Sequence, residues 1–456
     1  RLRIGDDSWL EATALTDFAQ VDLDDQQVNL DRFPLFFPEK RPFFLTGLDV
    51  FEFGAEGGAQ QFFSRRIGLD ENALEVPLYF GAKSYGRSGD LRFGLLNVVT
   101  GDTTRNWGVG RVRYNFGDTS YVGGLLTSVY DFEAEQSETG LGVDATYRGF
   151  GEKLQLSTFG STLIDDRGTA SSERSTGNVS MAWRGEHWRP SLSSTWVGAE
   201  YNPEAGFVRR RAVKITDLSI PYVRQATRDE NVGGLREWRL EALSGITTDD
   251  ALERTLFRYG GGSGSVQWRN GFGVSLSAVH QEDVVDDDFA LPANPEAVIL
   301  AGRYRSTEYA MQAELSSQNN PFGSLRVAWN DGLFGGEQWS ADGSVGVAFG
   351  PWVRLNLGGL TARLDLPEEA PFFSTALNST VSFTPSTTVL VDFTGQWNTT
   401  TEQVSVLSRF RWRFRPGSDL FVVYRERYGE DRTGVFERGQ ARSIISKLVW
   451  RFDAGL

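Results

Sequence analysis

The chain has 456 residues, a formal net charge of −14, 51 glycines and 32 phenylalanines, with two histidines and no cysteine. Without thiols there are neither disulfides nor thiolate metal sites, His187 and His280 alone cannot build a histidine-rich metal centre, and the acidic balance argues against general nucleic-acid binding. Mean hydropathy is −0.32, and the absence of an apolar run of ~20 residues excludes a helical membrane protein.

A membrane β-barrel stays open, because each of its strands needs only about 9–11 residues, apolar at every second position. In chain order, SWLEATALTD (8–17) alternates well enough for a first strand, and residues 18–31 are acidic and turn-like. From Arg32 to Gly68 the pattern breaks. Pro34, Pro38 and Pro42 remove backbone donors and disfavour both helix and central strand. Phe33, Phe36, Phe37, Phe43 and Phe44 must pack against something, and Glu39, Lys40, Arg41, Arg65 and Arg66 can pair with charges in a lumen. Residues 18–74 are therefore expected to form a plug-like or gate-like insert in a single barrel domain spanning 1–456. Phe36, Phe37, Glu39, Lys40, Arg41, Phe43, Phe44, Arg65 and Arg66 are its candidate functional residues.

From Val76 onward, hairpins follow one another. Val112, Tyr114 and Phe116 alternate with Arg111, Arg113 and Asn115; Leu141, Val143, Ala145 and Tyr147 with Asp144, Thr146 and Arg148. The same holds for Val179, Met181 and Trp183; for Leu325, Val327 and Trp329; for Trp339 to Phe349; and for Val389 to Trp397. A period of two puts each set on one face of a sheet. Aromatic residues recur near strand ends (Tyr114, Phe116, Trp183, Trp188, Trp268, Phe272, Trp352, Phe383, Trp412, Phe414, Trp450, Phe452), as a bilayer girdle requires. Tight turns such as FGDT, FGEK, FGPW and RPGS take turns with longer loops near 165–175, 200–211, 281–296 and 429–439. Short periplasmic turns and long external loops are the outer-membrane pattern. The expected fold is all-β, a transmembrane antiparallel up-and-down barrel of about 22 strands (range about 18–22) with an irregular lumenal insert. Residues 202–232 and 256–264 fit the hairpin count least well, and the closing strand runs from Arg442 to Asp453.

Several blocks resemble a family of bacterial outer-membrane barrels of unknown function. They are DFAQVDLD (17–24), VNL (28–30), FFPEKRPFFL (36–45), FFSRRIG (62–68), GAKSYGRSGDLRFGLLNVVTG (81–101), SYVGG (120–124) and NPEAGFVRR (202–210). In that family the barrel often follows a domain like the family-nine carbohydrate-binding modules. The resemblance thus implies an outer-membrane location and a carbohydrate-module-like domain ahead of this chain. Arg1 in place of a start Met fits a mature or truncated piece whose export signal lies upstream.

Side chains two apart on a strand share a face. Arg409, Arg411, Arg413, Arg415, Arg425, Arg427, Lys447 and Arg451 are therefore expected as a basic ladder on the lumen wall, either favouring anions in a water-filled pore or pairing with Glu39, Asp49, Glu52 and wall carboxylates. The acidic stretches 249–253 and 282–288 read as solvated loops, with weak divalent binding as the alternative. No nucleophile elbow, P-loop or dinucleotide fingerprint has a credible context; no enzyme, cofactor or metal is expected, an outer-membrane hydrolase ranking third. Two readings stand: a channel for small polar or anionic solutes narrowed by the insert, or a non-conducting plugged barrel that scaffolds an envelope complex. Expected partners are outer-membrane lipid and lipopolysaccharide, the barrel-insertion machinery and other envelope proteins, with no nucleic acid.

Overall fold

The computed structural model describes residues 2–5, 7–16, 27–54, 58–69, 76–101, 105–117, 119–165, 171–227, 233–367, 369–430 and 436–450. Alternating sequence produces extended chain, and extended chain needs a neighbour for its backbone N–H and C=O groups. That need is met by one antiparallel sheet of 23 strands, of which Leu2–Arg3 is a two-residue piece paired to the first long strand; 23 less that one leaves 22.

The first long strands are β1 (Ser8–Thr16), β2 (Leu78–Ser88), β3 (Leu91–Thr100), β4 (Arg105–Phe116), β5 (Ser120–Asp131), β6 (Gln136–Gly149) and β7 (Leu154–Asp165). Next come β8 (Ser175–Trp183), β9 (Ser191–Val197), β10 (Val213–Gln225), β11 (Leu235–Asp249), β12 (Thr255–Trp268), β13 (Phe272–Val285) and β14 (Gly302–Leu315). The last are β15 (Phe322–Asp331), β16 (Glu337–Phe349), β17 (Val353–Asp365), β18 (Phe372–Ser386), β19 (Val389–Asn398), β20 (Gln403–Arg415), β21 (Ser418–Glu430) and β22 (Phe436–Val449). Each strand pairs with the next along the chain, from β1 with β2 to β21 with β22. This is the up-and-down barrel wall anticipated from the hairpins. The doubtful stretches supply β10 and part of β12.

Two expectations need correction. The chain from Glu282 to Val285 is not loop but the end of β13, because its register with β14 continues to Val285 opposite Gly302. The connection beyond carries its own small hairpin, Phe289–Leu291 against Asn294–Ile299. The insert also holds helix where its prolines argued against it: Pro42–Leu45 and Leu48–Phe51 are single turns. Pro42 opens the first of these, where its missing N–H would have no helical partner in any case.

One face of the wall is apolar and exposed, the other polar and packed. Val112, Tyr114 and Phe116 are exposed while Arg111 just before them is 1% exposed; Val143 and Tyr147 are exposed while Asp144 and Thr146 are buried. The longest connections, such as 198–212 and 286–301, follow odd-numbered strands, and the shortest, such as 387–388 and 416–417, follow even-numbered ones. Ser8 begins β1 and Val449 ends β22 at the short-turn rim. Exposed Tyr114, Phe116, Trp183, Trp352, Phe383 and Trp412 mark that rim, and Tyr309, Trp329 and Trp339 stack in a row across β14–β16 toward the other. In β16 the exposed Trp339 and Phe349 stand ten residues apart (349 − 339). At ~3.4 Å per residue and a tilt of ~40°, that spans ~26 Å, close to the ~25 Å apolar band of an outer-membrane barrel.

Candidate functional site: the lumenal segment and its cavities

The described parts of the insert, 27–54 and 58–69, lie against the inner face. Phe44, Val50, Phe51, Phe53, Phe62 and Ile67 form a buried cluster with Leu78, Tyr85, Leu96, Val98, Trp107, Val109, Leu125, Val129 and Phe159 of β2–β7. Leu30 instead packs with Val285, Leu291, Phe334 and Leu364, on and beyond β13. One segment thus touches walls from β2 to β17, so the sheet curves around it. The segment enters from the long-loop rim and descends almost to the short turns, where Asp49 pairs with Arg92, the second residue of β3, at 3.1 Å.

Wall residues make room for that descent. A Cβ at Gly94 would stand 2.8 Å from the Phe51 ring, and one at Gly142 would stand 2.4 Å from both Phe53 and Gln61. Lys83, 2% exposed, donates to the carbonyl oxygens of Phe43 and Thr46 and lies 3.5 Å from Glu11. Gln61 donates to Thr127 Oγ1 at 3.2 Å and accepts from Ser161 Oγ at 2.8 Å. Arg111 forks onto Asp144 with two 2.7 Å bonds and lies over the Phe53 ring.

The ends of the insert are tied together by a buried ion pair. Arg41 Nε donates to Glu39 Oε1 at 2.8 Å and Nη2 to Oε2 at 2.7 Å, while Nη1 and Nη2 each reach a backbone carbonyl, of Ile67 and Ser64, at 2.6 Å. Glu39 also accepts from the backbone N–H of Lys40 and Arg41 and from Ser64 Oγ. Burial alone would raise the Glu39 carboxyl, but the hydrogen bonds and charge of Arg41 outweigh it and hold the group below its ordinary value.

Near the long-loop rim, charge gathers around Phe33. Arg32 makes a bidentate pair with Asp283 at 2.7 and 2.9 Å, and Arg209 Nη2 donates to Asp31 at 3.4 Å. The guanidinium carbons of Arg32, Arg210 and Arg209 lie 4.7, 5.2 and 5.6 Å from the Phe33 ring centre. Burial would lower Arg32, but Asp283 raises it; Arg210 is lowered, first by burial and then by the like charge of Arg32. Phe33, Asp31, Arg209, Phe257 and Asp283 line two cavities at once, one of about 850 Å³ and one of about 600 Å³. The larger lies between the insert and the inner face of β5–β13, among Phe53, Phe159, Ser157, Asn178, Ser193 and Thr195. The smaller runs along residues 27–36 to Tyr304, Phe334 and Gln338. Phe33 is the shared lining residue on which the three arginines converge.

The remaining insert candidates sit in the segment's own packing. Phe36 stacks on Phe63 and meets Phe207 edge-on; Phe37 lies under Arg65, which donates to Pro38 O. Phe43 and Phe44 meet edge-on, Lys40 lends Glu39 its N–H, and Arg66 closes the turn Ser64–Arg66. Of the partners expected for the basic ladder, carboxylates of neighbouring wall strands take Arg409, Arg411 and Arg413. Arg409 pairs with Asp392 at 2.8 Å, and Arg411 and Arg413 share Asp419 at 2.8 and 3.4 Å, all between neighbouring strands. Among the insert carboxylates, Glu39 pairs with Arg41 and Asp49 with Arg92, and Glu52 lines the larger cavity. Arg425 and Arg427 share the inner face with Leu407 and Ser405 by register, and Lys447 stands opposite Phe421. Arg415 leaves the ladder: the register slips between Arg413 and Arg415, and its guanidinium lies over outward-facing Trp450. Arg451 falls outside the described residues.

Sequence reading missed Asp283, Arg209 and Arg210 as partners of the insert. The last two stand in NPEAGFVRR, but Asp283 lies 251 residues from Arg32, a distance over which no local pattern signals contact. His187 contacts Val223 O in a turn and His280 contacts Thr307 on the outer face. Among the described residues, no group of three or more His, Cys, Asp or Glu is placed to hold a metal ion.

Residues 3–110 match a family described as a domain of unknown function (DUF5916). The match covers the insert and the first wall strands that pack on it. Among solved structures, BauA, the ferric preacinetobactin receptor from Acinetobacter baumannii, is similar at 9% identity, covering 81% of this chain and 77% of that one with a TM-score of 0.35. No curated protein matches the chain.

Proposed function

We propose that this protein is a bacterial outer-membrane β-barrel that passes small polar solutes through its lumen, beside the packed insert and past Phe33. The apolar outer face bounded by aromatic rows supports the membrane location. The observation that carries the solute path is the pair of cavities that share Phe33 as a lining residue, an arrangement suited to a gate that opens when the Arg32–Asp283 and Arg209–Asp31 pairs part. Hydroxyl and amide groups with aromatic faces line the larger cavity, which suits hydroxyl-rich solutes such as glycan fragments. Anion preference has less support, since Arg409, Arg411 and Arg413 are neutralised by Asp392 and Asp419.

The non-conducting scaffold reading is favoured by one specific feature, the buried Glu39–Arg41 pair that closes the insert on itself. Planar-bilayer conductance separates the two. Steady current in the intact protein, raised by Arg32→Ala, supports the gated path. Current only after deletion of 32–68 makes the insert a plug, and silence from both leaves the scaffold.

A further inference from the structure

On the outer face of the wall, close to the long-loop rim, three arginines surround one carboxylate. Arg258 of β12, Glu282 of β13 and Arg305 of β14 stand directly opposite one another in register, so they share a face. The adjacent row, Phe257, Asp283 and Tyr304, lines the cavities around the insert, which places the arginine row outside. Arg303, two residues before Arg305, joins them. The distances to Glu282 are 3.0 Å from Arg258, 2.6 Å from Arg303 and 2.8 Å from Arg305. The Glu282 side chain is 4% exposed, whereas the three arginines are 58%, 57% and 65% exposed. One negative charge against three positive ones leaves the cluster cationic. Each pair uses one N–H of the five that a guanidinium carries, so donors remain on all three.

The level of the cluster gives it meaning. Arg305 stands four residues beyond Tyr309 toward the rim, ~13 Å along the strand and ~10 Å in height. Below it on the same face come the polar pair His280–Thr307, then Tyr309 of the aromatic row, then exposed Leu276 and Met311. A cationic cluster just above an aromatic row sits where lipid headgroups, not acyl chains, meet a barrel. Of the acidic residues that follow Glu282, Asp283 faces inward and pairs with Arg32, and Asp286 is paired with Arg254.

We propose that Arg258, Arg303 and Arg305 bind a phosphate of an anionic lipid in the leaflet at the long-loop rim, with Glu282 holding the three guanidinium groups together. Planar guanidinium forks match phosphate oxygens, and several of them on one phosphate give short, charge-assisted bonds. The site rests on the membrane reading above.

The test uses the full chain in detergent micelles with a bisphosphorylated acyl-glucosamine lipid or its dephosphorylated form, read by native mass spectrometry. Flotation of the same preparation on phosphatidylcholine vesicles runs beside it. Relative to wild type, R303Q/R305Q should weaken retention of the phosphorylated lipid about tenfold, and R258Q, on a different strand, about threefold. Retention of the dephosphorylated lipid should not distinguish the proteins. Equal retention of the phosphorylated lipid with normal flotation overturns the site and spares the membrane reading. Loss of flotation in the wild type overturns both. Displacement of the lipid by an equal concentration of inorganic phosphate would make this a free-phosphate site and overturn the lipid assignment.

Discussion

Replacing Glu39 by Ala tests how the insert is held. In the native protein its carboxylate accepts from Arg41 Nε and Nη2, from the backbone N–H of Lys40 and Arg41, and from Ser64 Oγ. Arg41 is 2% exposed and keeps, after the substitution, the carbonyls of Ile67 and Ser64 and the Phe44 ring, but no counter-charge from Glu39. Removing one member of a buried pair costs about 3–5 kcal/mol, mostly because the other charge stays buried and uncompensated. At about 1.4 kcal/mol per factor of ten, opening of the segment becomes about a hundredfold to several thousandfold more frequent. Hydrogen exchange read by mass spectrometry on peptides from 41–67 measures this, with peptides of β11–β14 as the internal reference. The wall should keep its protection, since the strand ladders do not depend on Glu39. Glu39→Leu combined with Arg41→Met should recover at least half of the lost protection, because no charge is left to bury. Unchanged protection of 41–67 in Glu39→Ala would refute the claim that this pair holds the segment closed.

The same carboxylate sets a pH dependence. Its folded value lies below the ordinary 4.5, so its contribution is fully present above pH 4.5 and is lost as pH falls through the lowered value. Exchange protection of 41–67 should therefore be flat from neutral pH down to that point and decline below it, and a decline beginning near neutrality would contradict the assignment. Arg32→Ala removes a half-buried bidentate pair, of a kind contributing about 1.5–3 kcal/mol. The open probability in bilayer recordings should rise about tenfold or more, and Asp283→Ala should match it. Gly142→Val places methyl groups where a Cβ alone would stand 2.4 Å from Phe53 and Gln61. Docking should weaken by about 1–3 kcal/mol, seen as faster proteolysis of the insert while the barrel keeps its heat-modifiable mobility on gels. Lys83→Met leaves the Phe43 and Thr46 carbonyls without their ammonium donor, and protection at 43–46 should fall while that at 62–67 changes less.

Strand existence, strand facing and the aromatic rows were all legible from the residues alone, because they depend on a period of two that each strand carries within itself. Val112, Tyr114 and Phe116 face outward for the same reason that Arg111 faces in. The interest of 32–68 was legible too, since five phenylalanines among prolines cannot remain in water. What the residues did not disclose was pairing across distance. The basic ladder was visible as Arg409, Arg411 and Arg413, but not that Asp392 and Asp419 lie beside it. Nor did any local pattern say that Glu39 serves Arg41 rather than a wall arginine.

Periodicity by itself determined the all-β wall, its two faces and the approximate number of its strands. The curvature of that wall and the register of its strands decided the rest. Only when the sheet bends does Asp283 come to Arg32, and do Gly94 and Gly142 open space for Phe51 and Phe53, while the register of adjacent strands makes a Glu282 that reads as loop the centre of three outward arginines. Side-chain direction is a property of the strand, whereas a contact between strands many residues apart depends on which strands the succession of paired neighbours brings to the same height.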